Sequence, residues 1–236
     1  MDRVVALLWS IWKSRNHAVF CNEKLAPVIT LIRAKKASAE WRIRHKFTLP
    51  LQPLLKSAPS SSLKPPTWIG WKKPPHHFIK LNSDGAKTPH QAAGGYVLRD
   101  SSGQVIQAGA FPLGTASVLI AEATALRNGL HAAIEAGFSR ILIESDNQIL
   151  IQAILGAIQP PWEIQVLIHD IKHFIQSCIH VKVSHIFREA NRAADWLANL
   201  GLSLSSTCVW NQIFSRQLLC IIHQDSLGYT LARRGT

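Results

Sequence analysis

Acidic residues are scarce in this chain: 14 Asp+Glu stand against 26 Lys+Arg, for a formal net charge of +12. Cysteine is sparse as well. Cys21, Cys178, Cys208 and Cys220 are scattered, with no CxxC pair and no neighbouring His cluster. That spacing argues against a disulfide framework and against a zinc site, and favours a reducing, intracellular compartment, with nucleus and cytoplasm both open. A membrane-length apolar run is also missing from the opening "MDRVVALLWSIWKSRN", whose nine-residue apolar stretch ends before Lys13. It is too short to span a bilayer. Two bulky Trp and the lack of a small-residue cleavage site make it a poor signal peptide, so a short amphipathic or core helix is expected and no membrane partner.

What is present is a globular composition. Hydrophobic residues make up 47% of the chain and charged residues 17%, in 236 residues, enough for one core-bearing domain with extensions. The charge is uneven. Residues 1–76 hold 14 Lys+Arg against Asp2, Glu23 and Glu40, for +11, whereas residues 77–236 are nearly balanced at +1. A basic arm of this kind attracts a polyanion, and nucleic acid is the expected one.

Apolar spacing predicts helices over 2–22 and 26–47, so residues 1–47 form a basic helical arm. Residues 48–76 contain seven prolines and a serine run, which read as a linker. From His77 the pattern changes. "FIKLNSD" (78–84), "AGGYVLRD" (93–100) and "QVIQAGAF" (104–111) alternate as strands. "LIAEATALRNGLHAAIEAG" (119–137) is a long helix ending at Gly137. "SRILIESD" (139–146) is a buried strand, and helices follow at 147–157 and 161–178. "HVKVSHIF" (180–187) is a fifth strand, and "NRAADWLANLGL" is the last helix of the unit. The fold class is therefore α/β: a mixed five-stranded sheet, three antiparallel strands then parallel ones, flanked by helices. It occupies 77–202 and is followed by a helical tail over 203–236 with an apolar helix near 209–223.

Four carboxylates fall at element ends: Asp84 closing the first strand, Glu122 in the first turn of the long helix, Asp146 closing the fourth strand, and Asp195 early in the last helix. Each has an ordinary structural reading. Asp84–Gly85 is a turn dipeptide, Glu122 a first-turn acid, and Asp146 an N-cap. In an open α/β arrangement, however, strand ends and helix starts can converge on one rim of the sheet. Carboxylates brought together there repel unless a cation compensates, and oxygen-only ligands suit Mg²⁺ or Mn²⁺. Glu144 and Glu189 stay outside the set.

The set "NSDGA…AEATAL…ESDN…SHIFREANRAADWLA" resembles the type-1 ribonuclease H family over about residues 78–202. It is most similar to the version in plant genomes attached to remains of non-LTR retrotransposon reverse transcriptases. The arm "LLWSIWKSRNHAVF…EW" resembles what precedes that domain. The resemblance implies a ribonuclease H-like fold and a metal-dependent endonuclease that cuts the RNA strand of RNA–DNA hybrids with two Mg²⁺ ions, Mn²⁺ being able to substitute. It implies that Asp84 bridges both ions, that Glu122 and Asp146 position the ion that activates the attacking water, and that Asp195 holds that same ion while the other stabilises the leaving oxygen. The family often carries a His before the last Asp, which makes His185 a candidate for proton transfer or product release, with a structural role equally open. Arg188 is a candidate phosphate contact and Asn191 a polar neighbour of the site or a helix cap. Lys72, which with Trp68 and Trp71 lies just before the first strand, is a further candidate nucleic-acid contact. The apolar "VLI" at 118–120 stands where relatives often place polar substrate contacts. It keeps a second reading in view: a catalytically weak or inactive nucleic-acid-binding module left from a retroelement. A monomer is expected.

Overall fold

The computed structural model describes residues 67–233 continuously, together with helical positions 7, 8, 10–12, 14, 15, 27, 28, 30, 31 and 35. By its contacts the chain divides into two compact units, Met1–Lys64 and Pro65–Thr236. In the first, the described positions fall inside the two stretches expected to be helical. Ser14 Oγ and Thr30 Oγ1 lie 2.7 Å apart, so the two segments meet through a hydroxyl pair. The rest of the basic arm and most of the proline-rich stretch lie outside the described residues. So does Cys21, while Cys178 and Cys208 are free thiols.

The second unit is built on a six-stranded mixed sheet. Its elements run β1 (Thr67–Ile69), β2 (Ile79–Lys87), β3 (Ala92–Arg99), β4 (Val105–Gly114), α1 (Val118–Glu135), β5 (Arg140–Ser145), α2 (Gln148–Leu155), α3 (Gln165–Gln176), β6 (His180–His185), α4 (Arg192–Gly201), β7 (Cys208–Trp210), α5 (Arg216–Ser226) and β8 (Leu231–Arg233). The sheet order is β6-β5-β2-β3-β4-β7. β2, β3, β4 and β7 pair antiparallel in turn, while β5 and β6 run parallel to β2 on the other side.

The expected three-antiparallel-then-parallel sheet is present, with a sixth strand added. β7 comes from the tail, where one helix is expected over about 209–223; that helix is observed as Arg216–Ser226. β7 is only three residues long, too short for an alternation to show, and its pairing with Ala108–Ala110 supplies what the local sequence does not. β1, inside the stretch read as linker, pairs antiparallel with β8, from Thr67↔Arg233 to Ile69↔Leu231.

Helices cover both faces. Leu81, Leu98, Ile141 and Ile143 point to one face, where Leu126 and Leu130 of α1, Leu150 of α2 and Ile168 and Ile171 of α3 complete the larger core. Each such buried side chain contributes about 1.5–3 kcal/mol of hydrophobic stabilisation. Val97, Ala108 and Ala110 point to the other face, against Ala193 and Leu197 of α4 and Leu218 and Ile222 of α5. α4 lies directly on the sheet because Gly95 has no side chain; a Cβ there would stand 2.3 Å from Ala198 N. Gly137, φ +84°, terminates α1 as expected. Among the described residues, no helix is long and apolar enough to cross a membrane.

Candidate metal centre

The sheet register brings two acids side by side. β2 and β5 run parallel with Ser83 opposite Ser145, so Asp84, the next residue of β2, comes beside Asp146, the first residue after β5. Parallel strands lie about 4.8 Å apart, which sets the scale of that approach. Asp84 is not at a turn. β2 continues through Asp84–Gly85 to Lys87, against the expectation of a strand ending there. Glu122 comes from α1. That helix starts at Val118 behind its N-cap Ser117, which accepts from Ile120 N, so Glu122 lies beyond the first turn rather than in it. Carboxylate oxygens of Asp84, Glu122 and Asp146 all lie within 4.8 Å of one another.

Gly85 makes the approach of Glu122 possible. A Cβ at Gly85 would lie 2.6 Å from Glu122 N and 2.7 Å from Glu122 Cγ. Since the crowded atoms include helix backbone, Gly85→Ala must push the start of α1 away from β2. We expect a stability loss of about 1–3 kcal/mol and a fall of roughly 10²-fold in any turnover that needs Asp84 and Glu122 together. Urea melts and a turnover assay on the same preparation check this; turnover left intact would show that the contact does not set the spacing of the two acids.

The electrostatics follow from crowding. Asp84 is pushed up to about 8, first by burial and then by repulsion from Asp146, Glu122 and Asp195. Glu122 is pushed up to about 7, again mainly by burial, with hydrogen bonds from Asn147 and Ser145 opposing the shift. Three convergent carboxylates, of which Asp84 and Glu122 resist ionisation, suit a hard divalent ion. Of the expected four acids, three form the cluster. Asp195 lies near enough to act on Asp84, but its Oδ1 is held by Arg188 Nη2 at 2.6 Å.

The structural alternative for Asp146 fails. Asn147 is the N-cap of α2, accepting from Leu150 N at 3.0 Å, which leaves the Asp146 carboxylate available to the cluster. Asn191 sits at the start of α4 but makes no side-chain cap. Its Nδ2 donates instead to Ser83 O and to Asp146 Oδ1, both at 2.9 Å, bracing β2 against the loop that carries Asp146. His185 is exposed and bonds the Asp146 carbonyl through Nε2 at 3.1 Å, so that nitrogen carries the proton. Lys72 is not brought to the cluster. Its carbonyl accepts from Lys80 Nζ, near the start of β2, and its side chain is exposed. Glu144 pairs with Lys80 and accepts from Asn82. Trp71 is buried, its Nε1 donating to Asn82 Oδ1, a packing role. Leu119 and Ile120 pack against the core, while Val118 is exposed.

The residues missed by sequence reasoning are Gly85, Ser145 and Asn147. All three adjoin quoted motif letters, "DG" and "ESDN". Their roles depend on which side chain caps which helix, and that is settled only by the fold.

A sheet with this strand order, helices on both faces and an acidic cluster between the neighbouring strands β2 and β5 is a ribonuclease H-like domain. Residues 82–201 match the model of the reverse transcriptase-like family, and the chain belongs to that family. It is 32% identical over 168 residues to an Arabidopsis thaliana protein provisionally named a ribonuclease H protein, covering 70% of this chain and 27% of that one. The chain thus spans little more than a quarter of the length of that curated relative. Among solved structures, a type 1 ribonuclease H from the halophilic archaeon Halobacterium salinarum superposes with a TM-score of 0.51 at 27% identity, over 53% of this chain and 98% of that one. The N-terminal ribonuclease H domain of a Mycobacterium tuberculosis protein gives 0.52 at 19% identity, over 53% and 94%, a likeness of fold.

Proposed function

We propose that this protein is a divalent-metal-dependent endonuclease that hydrolyses the RNA strand of RNA–DNA hybrids. The observation that carries the reading is the convergence of Asp84, Glu122 and Asp146 within 4.8 Å on a ribonuclease H-like sheet. The named activity of the Arabidopsis and Halobacterium relatives supports it. Asp84, Glu122 and Asp146 would hold Mg²⁺ or Mn²⁺, and Asp195, which stands outside that triad, would complete a position for a second ion rather than share the ion of Glu122 and Asp146 as the resemblance implies. Bound there, the ions would supply activation of water and neutralisation of charge on a phosphodiester. The protein's own part is positional. Asn191 fixes the rotation of Asp146, Ser145 and Asn147 hold Glu122, and the main chain of Gly85 donates to Asp84 Oδ1 at 2.8 Å. His185, tied to the Asp146 carbonyl, stands beside the cluster where proton transfer or product release would need it.

The test is cleavage of a labelled RNA–DNA hybrid by the purified chain with Mg²⁺, Mn²⁺ or EDTA, beside duplex and single-stranded RNA. Metal-dependent cutting confined to the RNA strand of the hybrid supports the reading. Metal-dependent hybrid binding without cutting would move the protein to the binding-module reading. The basic arm bears on affinity rather than chemistry. Deleting residues 1–60 should flatten the dependence of nucleic-acid affinity on salt, because fewer phosphates are neutralised. A slope that stays the same would show that the arm does not touch the polyanion.

A further inference from the structure

Asp195 reaches the acid cluster electrostatically but not as a free ligand. Arg188 Nη2 meets its Oδ1 at 2.6 Å. Arg188 begins the short 3-10 turn Arg188–Ala190 that leads into α4, and its side chain is 74% exposed, so it stands at the mouth of the site rather than in the core. The attraction on it is not Asp195's alone. Asp84 and Asp146 also stabilise its charge, and it in turn eases the ionisation of Glu122. The guanidinium, in contact with Asp195, therefore also compensates the charge of the neighbouring acids. A divalent ion ligated by Asp195 Oδ1 would have to displace Arg188.

We propose that Arg188 is the resident counter-cation of Asp195 and competes with a divalent ion for it, so that filling of the second ion position releases the guanidinium toward a substrate phosphate. This rests on the reading of the acid cluster as a metal centre. An exposed guanidinium on a short turn can exchange partners at little cost, because surface pairs are individually weak. Its planar fork also suits a phosphate as well as it suits a carboxylate. The 29% exposure of the Asp195 side chain leaves room for that exchange.

The experiment is calorimetric titration of the full chain with Mn²⁺ in the absence of nucleic acid. It compares wild type, Arg188→Ala, Arg188→Lys, Asp195→Asn and the Arg188→Ala/Asp195→Asn double variant. Arg188→Ala should tighten the weaker of two binding events about two- to fivefold and leave the tighter one in place, in keeping with the strength of an exposed pair. The gain should shrink as salt rises, since screening already weakens the wild-type pair. Arg188→Lys, which keeps the charge, should restore the wild-type affinity. In the Asp195→Asn background, Arg188→Ala should have no effect, as expected if the two side chains act as one unit. A wild type that binds one ion while Arg188→Ala binds two would support the competition. A weaker event that is unchanged or loosened in Arg188→Ala would overturn it, as would the same tightening in the Asp195→Asn background. If neither wild type nor any variant binds Mn²⁺, the metal reading of the cluster fails first, and the counter-cation role fails with it.

Discussion

Asp84→Asn should abolish hybrid cleavage and, in metal-free buffer, make the protein more stable. Both effects come from one cause. Burial first, and then repulsion from Asp146, Glu122 and Asp195, raises the pKa of Asp84 from 3.8 to about 8. A carboxyl whose folded-state pKa lies above its unfolded value costs nothing while both states are protonated. As pH rises past the unfolded value, the folded state must either retain the proton or bury a charge, and stability falls until the folded pKa is reached. The metal-free wild type should therefore lose stability between about pH 4 and pH 8, by a few kcal/mol in all. Glu122, raised to about 7, adds to the same trend. Asn at position 84 removes the ionisation, so at pH 8 in EDTA the variant should melt about 5–10 °C higher. Saturating Mg²⁺ should close the gap by stabilising the wild type alone. Cleavage should fall by at least about 10²-fold, the loss typical when a preorganised electrostatic group leaves a site. Metal affinity should also climb with pH as protons leave Asp84 and Glu122. Melting in EDTA across pH 5 to 9, with hybrid cleavage on the same samples, decides the matter. A variant no more stable than wild type at pH 8 would mean the carboxylates are not crowded as described.

Asp84 was legible in the sequence only as part of a group. Alone, "DG" reads as a turn, and it took Glu122, Asp146 and Asp195 in family order to outweigh that. The strands and long helices were legible because their periods of 2 and 3.6 persist long enough to show. β1, β7 and β8 are three residues each, too short for any period, and β1 finds β8 only at the far end of the unit. The exchange of roles between Asp146 and Asn147 was hidden because both residues are good N-caps. Arg188 read as a phosphate contact because the pairing with Asp195 depends on how the turn enters α4. Least legible of all were the buried charges. Arg99 ends a strand beside Asp100 and invites a surface reading, yet it is fully buried.

That buried arginine carries the second large prediction. Arg99 projects from β3 onto the face covered by α4 and α5. Its Nη1 donates to Asp225 Oδ2 at 2.7 Å, its Nη2 to Asn82 Oδ1 at 2.9 Å, and Trp71 stacks on it with 3.6 Å between guanidinium and ring. Burial pushes the guanidinium down and the Asp225 carboxyl up, while their mutual attraction opposes both shifts. Arginine does not surrender its proton in a protein, so the charge stays and needs its partner. Asp225 lies in α5, outside residues 82–201, the span matched by the family. Asp225→Ala strands a buried cation and should cost about 3–5 kcal/mol, a large part of the stability of an ordinary domain. The loss should not be read as the worth of the pair. Arg99→Met with Asp225→Leu, which removes both charges and fills the space, should recover most of it. Because Asn82 lies two positions before Asp84 on β2 and accepts from both Trp71 and Arg99, the single variant should also weaken divalent-ion binding before the domain unfolds. Urea melts of Asp225→Ala and of the Arg99→Met/Asp225→Leu double variant test this. A loss below about 1 kcal/mol for Asp225→Ala would show that α5 is an appendage. A loss of the expected size, recovered in the double variant, would make the C-terminal helix part of the body that holds the acids in place.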